Sequence, residues 1–525
     1  MHALAETITE NDRSEADFTS QDFQFLLSIP EKLRVCFFAS ANPQQQKDLC
    51  QFLTPPHVAD LMGSMFRLHR KSIHLLDAGA GLGILSAAFV RRLLLRKIPP
   101  QQITVTAFEL DPALVPGLEE TYEACRVACR TRNIDFSAII HNTDFIADGA
   151  TMMRNDFFSG TPQVFDAAIV NPPYGKLSAT STGHRLLRSV KAETTNLYSA
   201  FLNLIIGLLG PQGELVAITP RSFCNGPYFK PFRRRLLTEM SIRRIHVFES
   251  RSAAFKHDNI LQENVILRAI KQSEQPESIQ VSQSSGSVAD KVSSRIFPVT
   301  EIVSPTDSEA FIHIPTCAKH LAARDQVKRL NATLSVLGLT VSTGRIVDFR
   351  ARAFIRQEPE SGTCPLIYPC HFSGLFLKWP KERSRKPNAI LDNDQTQSLL
   401  IPAGVYVLTK RFTSKEERRR VVACIYDPAH APGQHVGFEN HLNYIHADGR
   451  GLDITLAKGL WAFLNSSILD LYFRQFNGHT QVNATDLRNV RFPTTAQLRR
   501  IGSVVGEDLL EQQDIDGIVT RELNA

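Results

Sequence analysis

Residues 73–83 read Ile-His-Leu-Leu-Asp-Ala-Gly-Ala-Gly-Leu-Gly, a short apolar stretch that runs into a glycine-rich turn. Residues 84–95 follow with helical spacing and carry small or apolar side chains on one side. A strand, a glycine turn and a helix in this order open a nucleotide-binding βαβ unit. Gly79 and Gly81 would let the backbone pass close to a ligand. The stretch predicts a Rossmann-like α/β domain, with a mixed, mostly parallel sheet and helices on both faces.

Two further strand ends carry residues that suit a nucleotide. Residues 103–108 form an apolar run that ends at Glu109, and an acidic residue there can accept hydrogen bonds from both ribose hydroxyls. Residues 136–140 lead into Asp144 and Phe145, which can hold an adenine amino group and cover the ring. A glycine turn alone is weak evidence. A series of strand ends that each carry a plausible ligand residue is much stronger.

The fourth strand end carries residues 171–175, Asn-Pro-Pro-Tyr-Gly, directly after the apolar run 165–170. Asn171 Oδ1 and the Pro172 carbonyl can each accept one N–H of a planar NH₂ group. Two fixed acceptors favour the more tetrahedral, nucleophilic nitrogen as charge develops. Proline fixes the backbone and has no competing N–H, and Tyr174 can stack on the base. The alternative is a simple turn that ends the strand.

Together these motifs resemble those of the S-adenosylmethionine-dependent methyltransferases that make N6-methyladenine in DNA. Residues 77–81 resemble the first cofactor motif of that family, Glu109 the second and residues 144–145 the third. Residues 171–174 resemble its catalytic motif. The resemblance spans roughly residues 45–270, so it implies the fold and chemistry of that part of the chain.

Flanking segments extend the resemblance. Residues 52–56, Phe-Leu-Thr-Pro-Pro, resemble a segment whose threonine approaches the methionine carboxylate, and residues 196–201 resemble a helix that packs on the cofactor. Phe255 resembles the second aromatic that sandwiches a flipped base, in competition with Phe248. The resemblance implies cofactor contacts from Thr54, Asp77, Gly79, Gly81, Glu109, Asp144, Phe145, Asn171, Pro173 and Phe201. It implies catalytic roles for Asn171, Pro172, Tyr174 and Phe255.

The order of the motifs resembles the gamma group of these enzymes, in which target recognition is C-terminal. We therefore expect lead-in helices over 1–50, a catalytic domain over 51–271, a linker or hairpin over 272–300, and a mixed α+β target-recognition domain over 301–525. The segment 272–294 is rich in Ser and Gln. In the last domain, helical spacing predicts a helix over 458–473.

The C-terminal region mixes cations with amides but gives no readable code for a DNA sequence. Such residues can contact phosphates and base edges, although each is also an ordinary loop residue. The candidate DNA-binding residues are Arg345, Arg350, Arg352, Lys410, Arg411, Asn477, His479, Gln481 and Asn483.

Composition and charge indicate which classes of protein and which cellular compartment suit this chain. The formal net charge of +6 excludes a histone-like polycation, and the nine cysteines are scattered, as in reduced cytoplasmic proteins. Cys125 and Cys129 suggest core packing rather than a metal site, and we expect no metal. No apolar run approaches the ~20 residues of a membrane helix. We expect a bacterial or archaeal cytoplasmic monomer that binds double-stranded DNA, with a separately encoded restriction endonuclease as a further partner left open.

Other acceptors use the same chemistry. N4-cytosine methylation of DNA and N6-adenine or N2-guanine methylation of RNA remain alternatives, as does methylation of a protein glutamine. A DNA-binding subunit with a degenerate cofactor fold is disfavoured by the intact motifs. A fused nuclease would need a carboxylate-rich metal site, and no Asp…Glu-x-Lys pattern is found at either end.

Overall fold

The computed structural model describes residues 21–40, 53–155, 164–249, 263–286, 292–413, 417–478, 480–506 and 510–524. The chain divides into two compact units. Unit 1 comprises Met1–Pro220 and Tyr228–Thr300, and unit 2 comprises Arg221–Pro227 and Glu301–Ala525. Within the described part of the chain, every helix is too short or too polar to span a bilayer.

Unit 1 alternates strands with helices over most of its length. Its helices are α1 (Phe25–Ser40), α2 (Pro56–Ser64), α3 (Ile84–Leu94), α4 (Val115–Arg130), α5 (Phe145–Asn155), α6 (Thr182–Ser189), α7 (Leu197–Leu208) and α8 (Lys230–Glu239). Its strands are β1 (Ser72–Ala78), β2 (Gln102–Phe108), β3 (Asp135–His141), β4 (Phe165–Val170), β5 (Leu209–Pro220), β6 (Met240–Phe248), β7 (Asn264–Lys271), β8 (Ser278–Ser284) and β9 (Ser293–Pro298). Helix α9 (Val299–Ile302) follows at the boundary between the units.

The strands form one nine-stranded sheet in the order β3-β2-β1-β4-β5-β7-β6-β8-β9. The first five are mutually parallel, β7 is antiparallel to both its neighbours, β8 is parallel to β6, and β9 is antiparallel to β8. The predicted mixed, mostly parallel sheet is confirmed. Because the chain runs outward from β1 to β3 and then returns to β4, the strand order reverses between β1 and β4. Open α/β sheets bind ligands at such a point, outside the carboxyl ends of the strands.

Packing on both faces of the sheet explains why the inner strands β1 and β4 are mostly apolar. Ile73 and Leu75 of β1 are fully buried in a core cluster with residues of α2, α3 and α4. On the other side, the Phe145 ring of α5 lies 5.1 Å from the Phe201 ring of α7 and 5.2 Å from the Phe108 ring of β2. Strands buried on both faces are expected to read as continuous apolar runs, as these do.

The described residues of the segment 272–300 contain two paired strands. β8 and β9 pair antiparallel from Ser278↔Pro298 to Gln283↔Ser293, so the hairpin alternative is the one observed, and β8 joins it to the main sheet through β6. Ile279 and Val281 alternate with polar residues along β8 and are buried. The strand therefore follows a period of two that the high Ser and Gln content conceals.

Unit 2 is built from two smaller sheets and a group of helices. Its strands are β10 (Thr340–Thr343), β11 (Ile355–Arg356), β12 (Thr363–Ile367), β13 (Phe372–Ser373), β14 (Phe376–Leu377), β15 (Ala389–Leu391), β16 (Ile401–Pro402), β17 (Tyr406–Lys410), β18 (Ala423–Tyr426), β19 (His435–Phe438) and β20 (Leu442–His446). Its helices are α10 (Ala318–Lys328), α11 (Asp348–Ala351), α12 (Ile454–Leu464), α13 (Ser467–Phe473), α14 (Ala484–Arg488), α15 (Thr495–Val504) and α16 (Gln512–Asn524). One sheet has the order β10-β20-β17-β18-β14-β13 and the other β11-β15-β12-β19-β16. The mixed α+β character expected for this region is observed.

The helix expected over 458–473 is two helices. α12 ends at Leu464 with Asn465 as its C-cap, and Ser466 caps α13 by accepting a hydrogen bond from the Leu469 N–H at 3.3 Å. Serine at a helix N-cap satisfies an otherwise unpaired N–H, so the Asn-Ser-Ser sequence at 465–467 breaks the pattern.

Residues 221–227 belong to unit 2, although their neighbours on both sides belong to unit 1. Asn225 Nδ2 donates to Asp486 Oδ1 at 3.0 Å, and Ile312 N donates to the Cys224 carbonyl at 3.0 Å. These buried polar contacts tie the short segment into unit 2. The predicted catalytic domain over 51–271 includes residues 221–227, which belong to unit 2. Composition carries no signal for that assignment.

Candidate functional site

The glycine turn after β1 begins the site. Gly79 and Gly81 have φ angles of +79° and +58°, a region that favours glycine. A Cβ on Gly81 would lie 2.8 Å from Leu53 Cδ2. The N–H groups of Gly79 and Ala80 donate to the Phe108 carbonyl at 2.8 and 2.9 Å, which holds the turn against the end of β2. The two glycines are therefore needed for the shape of the turn.

Glu109, at the end of β2, connects two turns through its carboxylate. Its Oε2 accepts from Gly81 N at 2.7 Å and its Oε1 accepts from Asp111 N at 2.8 Å. The side chain is almost buried, and burial raises its pKa. Backbone N–H donors of Asp111, Gly81 and Leu110 favour the charged form and oppose that shift in pKa. The result is a fixed carboxylate at the edge of a cavity.

That cavity encloses about 670 Å³ of empty space, part of which is open to solvent. Aromatic side chains form one wall, and two carboxylates contribute polar groups. Asp144 Oδ1 accepts from Ile146 N at 2.9 Å and so caps α5. We call it the larger cavity, and its described lining is Leu53, Gly79, Gly81, Phe108, Glu109, Leu110, Leu114, Thr143, Asp144, Phe145, Asn171, Pro173 and Phe201.

A smaller cavity, with about 360 Å³ of empty space, also lies against the glycine turn. Leu53, Gly79, Gly81 and Asn171 line both cavities, so Asn171 stands at their junction. The described lining of the smaller cavity is Pro30, Arg34, Leu53, Thr54, Gly79, Ala80, Gly81, Leu82, Ile84, Leu85 and Asn171.

Asn171, directly after β4, has its side-chain amide held at both ends. Its Nδ2 donates to Thr54 Oγ1 at 3.1 Å, and its Oδ1 accepts from the Tyr174 hydroxyl at 2.9 Å. The Tyr174 hydroxyl lies 3.4 Å from the Ile218 carbonyl, and burial raises the pKa of this phenol well above its usual value. The tyrosine therefore stays a neutral donor. Thr54 and Tyr174 together fix which end of the amide points in which direction.

The other residues of the motif 171–174 lie beside the Asn171 amide. Pro172 is buried, and Pro173 lines the larger cavity. The Tyr174 ring meets the Tyr198 ring of α7 edge to face, with centroids 6.4 Å apart. α7 begins after Asn196, whose Oδ1 accepts from Tyr198 N at 3.2 Å. The N-cap thus sets where the Tyr198 ring stands.

Asp77 lies behind the glycine turn. Its Oδ2 accepts from Ser86 Oγ at 2.6 Å, and the Tyr122 hydroxyl lies 3.2 Å from the same Ser86 oxygen. Asp77 is fully buried, its Oδ1 has no hydrogen-bond partner among the described residues, and burial raises its pKa to about 7. It is absent from the described lining of both cavities. The contacts seen here are structural, and direct contact with a cofactor stays a prediction.

Nothing in the sequence motifs singled out α1, yet Pro30 and Arg34 line the smaller cavity. The helix was expected only as a lead-in. Its contribution depends on packing against elements fifty residues later in the chain, and local pattern carries no signal for that.

The second aromatic expected in the site, Phe255, lies outside the described residues, as does His479. Phe248, the alternative to Phe255 as the second aromatic, is buried in the hydrophobic core with α2 and α3. The centroids of the Phe248 and His246 rings lie 4.9 Å apart, edge to face. Phe248 therefore has a packing role. Phe255 stays a prediction.

In unit 2, three of the expected DNA-binding arginines are exposed. Arg345 Nη1 lies 3.3 Å from the Ser398 carbonyl, and Arg350 and Arg352 are on or next to α11. The Arg350 guanidinium lies over the Phe349 ring, 5.5 Å from its centroid, and that ring is 76% exposed. Exposed cations beside an exposed aromatic suit contact with nucleic acid.

Three other candidates for DNA contact make contacts within the protein: Lys410, Arg411 and Gln481. Arg411 N donates to the His441 carbonyl at 2.8 Å and its Nη1 to the Asn440 carbonyl at 2.5 Å. Lys410 Nζ lies 5.7 Å from the centroid of the Phe372 ring. Gln481, half-buried, forms an isolated bridge with Phe412. For these residues, contact with DNA stays a prediction.

Asn477 and Asn483 have structural roles in unit 2. Asn477 is 2% exposed, accepts a short hydrogen bond from Arg420 and donates to the Gln481 carbonyl at 3.1 Å. Asn483 caps α14 in a reciprocal capping box with Asp486. In this structure the Asn477 amide is buried and engaged by the protein, and its contact with a base edge stays a prediction.

Metal binding has no support among the described residues, which contain no group of three or more His, Cys, Asp or Glu side chains placed to hold an ion. Cys125 and Cys129 are both buried on α4, and burial raises their pKa values. They pack in the core of unit 1.

Known proteins resemble this chain along nearly its whole length. A family model described as Eco57I restriction-modification methylase matches residues 98–255. The type II methyltransferase M.PstI of Providencia stuartii is 44% identical over 497 residues, which cover 94% of this chain and 97% of that protein. The chain belongs to the type II restriction–modification methyltransferases.

Two further proteins fill out the comparison. M.BsuBI of Bacillus subtilis, also a type II methyltransferase, is 41% identical to this methyltransferase over 484 residues, which cover 91% of this chain and 95% of that one. Among solved structures, the type IIG restriction endonuclease BpuSI aligns over 97% of this chain and 65% of its own, with a TM-score of 0.41 and 12% identity. A likeness that weak carries no argument about function.

Proposed function

We propose that this methyltransferase transfers a methyl group from S-adenosylmethionine to N6 of an adenine flipped out of double-stranded DNA, at a specific sequence. The observation that carries the proposal is the Asn171 amide, fixed by Thr54 and Tyr174 at the junction of the two cavities. The motif order supports assignment to the gamma group. Within a restriction–modification system, such methylation protects host DNA.

The larger cavity fits the adenosine end of this cofactor. Glu109 offers a fixed carboxylate to two ribose hydroxyls, and Asp144 offers a second acceptor suited to the amino group of adenine. Phe145 and Phe201 give the flat apolar surface that an adenine ring needs. When bound, the cofactor supplies an electrophilic methyl group on a sulfonium.

The catalytic residues act on the nucleophile. Adenine N6 is a poor nucleophile because its lone pair is delocalised into the ring. Asn171 Oδ1 and the Pro172 carbonyl each accept one N6–H, which stabilises the charge that develops on nitrogen. Tyr174 keeps the Asn171 oxygen in place through its hydroxyl and offers a ring face to the base, and Phe255 covers the opposite face. Positioning supplies much of the rate, and no strong base is needed.

DNA is the proposed partner, and unit 2 is the proposed target reader. A base must leave the duplex before its N6 can meet a methyl donor, so contacts that hold the DNA are needed besides those in the catalytic cleft. Arg350 and Arg352, both exposed, suit phosphate contacts. We expect the enzyme to act as a monomer in the cytoplasm of a bacterium or archaeon, and a separately encoded restriction endonuclease as a further partner is left open.

N4-cytosine methylation of DNA is the second candidate function, because the same amide and proline carbonyl can hold the cytosine NH₂ group. Tyr174 and the motif order favour adenine. Methylation of adenine or guanine in RNA uses the same acceptor chemistry, and the identity to restriction–modification enzymes over 94% of the chain favours DNA.

Asn171→Ala tests the proposal. Transfer of labelled methyl groups to DNA should fall more than tenfold, a loss above ~1.4 kcal/mol, while S-adenosylhomocysteine binds within about threefold of wild type. Asn331→Ala, at an exposed asparagine of unit 2, should keep full activity. If Asn171→Ala kept more than a tenth of the wild-type rate, direct transfer assisted by this amide would be abandoned.

A further inference from the structure

Helix α1 brings a positive charge to the smaller cavity. We propose that Arg34 binds the carboxylate at the amino-acid end of S-adenosylmethionine, so that the N-terminal helix completes the cofactor site. The inference rests on the proposed function, since it takes the cofactor as given. It assigns a site residue outside the region 98–255 that matches the family model.

The position of Arg34 is set by α1 itself. Pro30 and Arg34 lie one turn apart and both line the smaller cavity, which Gly79 and Gly81 also line. The Arg34 side chain is only 12% exposed. Its Nε and Nη2 donate to the two carboxylate oxygens of Glu31 at 2.7 and 2.8 Å. A guanidinium has five N–H donors in a rigid fork, so a bidentate partner on one edge orients the whole group.

The residues that line the two cavities differ in charge. Among the described lining residues, Arg34 is the sole cation, and it lies in the smaller cavity. The carboxylates of Glu109 and Asp144 line the larger one. The adenosine end of the cofactor carries no anionic group, whereas its amino-acid end carries a carboxylate. The two protein carboxylates would repel that group, and Arg34 would attract it.

The surroundings of the smaller cavity favour the same orientation. α3 begins at Ile84, which lines this cavity, and a helix N-terminus favours a nearby anion. With the adenosine in the larger cavity and the carboxylate in the smaller one, the sulfonium between them falls at the junction. Asn171 lines both cavities and stands at that junction.

A purely structural role for Arg34 predicts something different. If Arg34 acts only through contacts within the protein, such as its (i, i+3) ion pair with Glu31, its replacement should change thermal unfolding and leave ligand binding unchanged. The proposal instead predicts a selective loss of affinity for ligands that carry the carboxylate.

The test compares two ligands on the full-length protein by titration calorimetry. S-adenosylhomocysteine carries the amino-acid end, and 5′-deoxy-5′-methylthioadenosine keeps the adenosine and the thioether but lacks it. Arg34→Gln should weaken S-adenosylhomocysteine binding roughly 10- to 100-fold, the range for a charge-assisted hydrogen bond, and leave methylthioadenosine binding within about twofold. Arg34→Lys should recover part of the loss, because it keeps the charge without the fork.

Lys32→Gln is the matched control, since it removes one positive charge from an exposed position of the same helix outside the cavity lining. It should leave both affinities unchanged. Thermal unfolding of each variant, within a few degrees of wild type, shows that the fold is kept.

The outcomes separate the two proposals. Unchanged S-adenosylhomocysteine affinity in Arg34→Gln, or equal weakening of both ligands, overturns the role of Arg34 and leaves the proposed function standing. Failure of the wild-type protein to bind S-adenosylhomocysteine overturns the proposed function itself.

Discussion

Thr54→Val removes the acceptor that fixes the Asn171 amide while keeping the shape of the side chain. The Thr54 hydroxyl is buried and accepts from Asn171 Nδ2 at 3.1 Å. A hydrogen bond of this kind contributes ~0.5–1.5 kcal/mol net. If it serves to hold Asn171 Oδ1 toward the reacting amine, its loss should lower kcat by about 2- to 13-fold, since ~1.4 kcal/mol is tenfold in rate.

Steady-state kinetics with DNA and S-adenosylmethionine separates this role from a direct cofactor contact. We expect kcat to fall while KM for S-adenosylmethionine changes less than about twofold. Thr54→Ser keeps the hydroxyl and should retain kcat within about twofold. A rise in KM with kcat unchanged would refute the reasoning, and would instead place the hydroxyl on the methionine carboxylate.

Two further predictions concern charge. Burial raises the pKa of Asp77 to about 7, so the folded state holds a proton that the unfolded state releases near pH 4, and stability falls as pH rises from about 4 to about 7. Asp77→Asn keeps an acceptor for Ser86 and cannot ionise. The melting temperature of this variant minus that of wild type should therefore increase between pH 5 and pH 8. A difference in melting temperature that does not depend on pH would contradict this. Arg350→Ala and Arg352→Ala should each lower affinity for specific and nonspecific DNA alike and reduce the slope of log K against log salt by ~0.9 per lost phosphate contact, whereas Lys319→Ala, at an exposed position on α10, should not.

Local pattern was sufficient for strands β2 and β3 of unit 1. The run predicted at 103–108 is β2, Gln102–Phe108, and the run at 136–140 is β3, Asp135–His141. β2 is buried along most of its length, whereas β3 lies at an edge of the sheet and is largely exposed. A strand buried on both faces is expected to read as an apolar run, and the glycine turn after β1 requires backbone angles that favour glycine.

Tertiary context decided what local pattern missed. The Ser- and Gln-rich segment 272–294 pairs with β6 because two buried aliphatic side chains of β8 satisfy the sheet. Asn477 was expected to contact DNA, and the structure places its buried amide beside Arg420 and Asp486. Arg34 reaches a cavity built by residues far along the chain. In each case the deciding partner is remote in sequence, and neither composition nor periodicity indicates it.

We propose above that the Asn171 amide accepts a hydrogen bond from the N6 amino group of an adenine in DNA. Duplex DNA containing many candidate sites should be incubated with the purified protein and S-adenosylmethionine, digested to nucleosides and analysed by mass spectrometry. The account predicts N6-methyldeoxyadenosine with wild-type protein, and a loss of more than tenfold with Asn171→Ala. N4-methyldeoxycytidine in its place, or the same yield of N6-methyldeoxyadenosine from the Asn171→Ala variant, would contradict it.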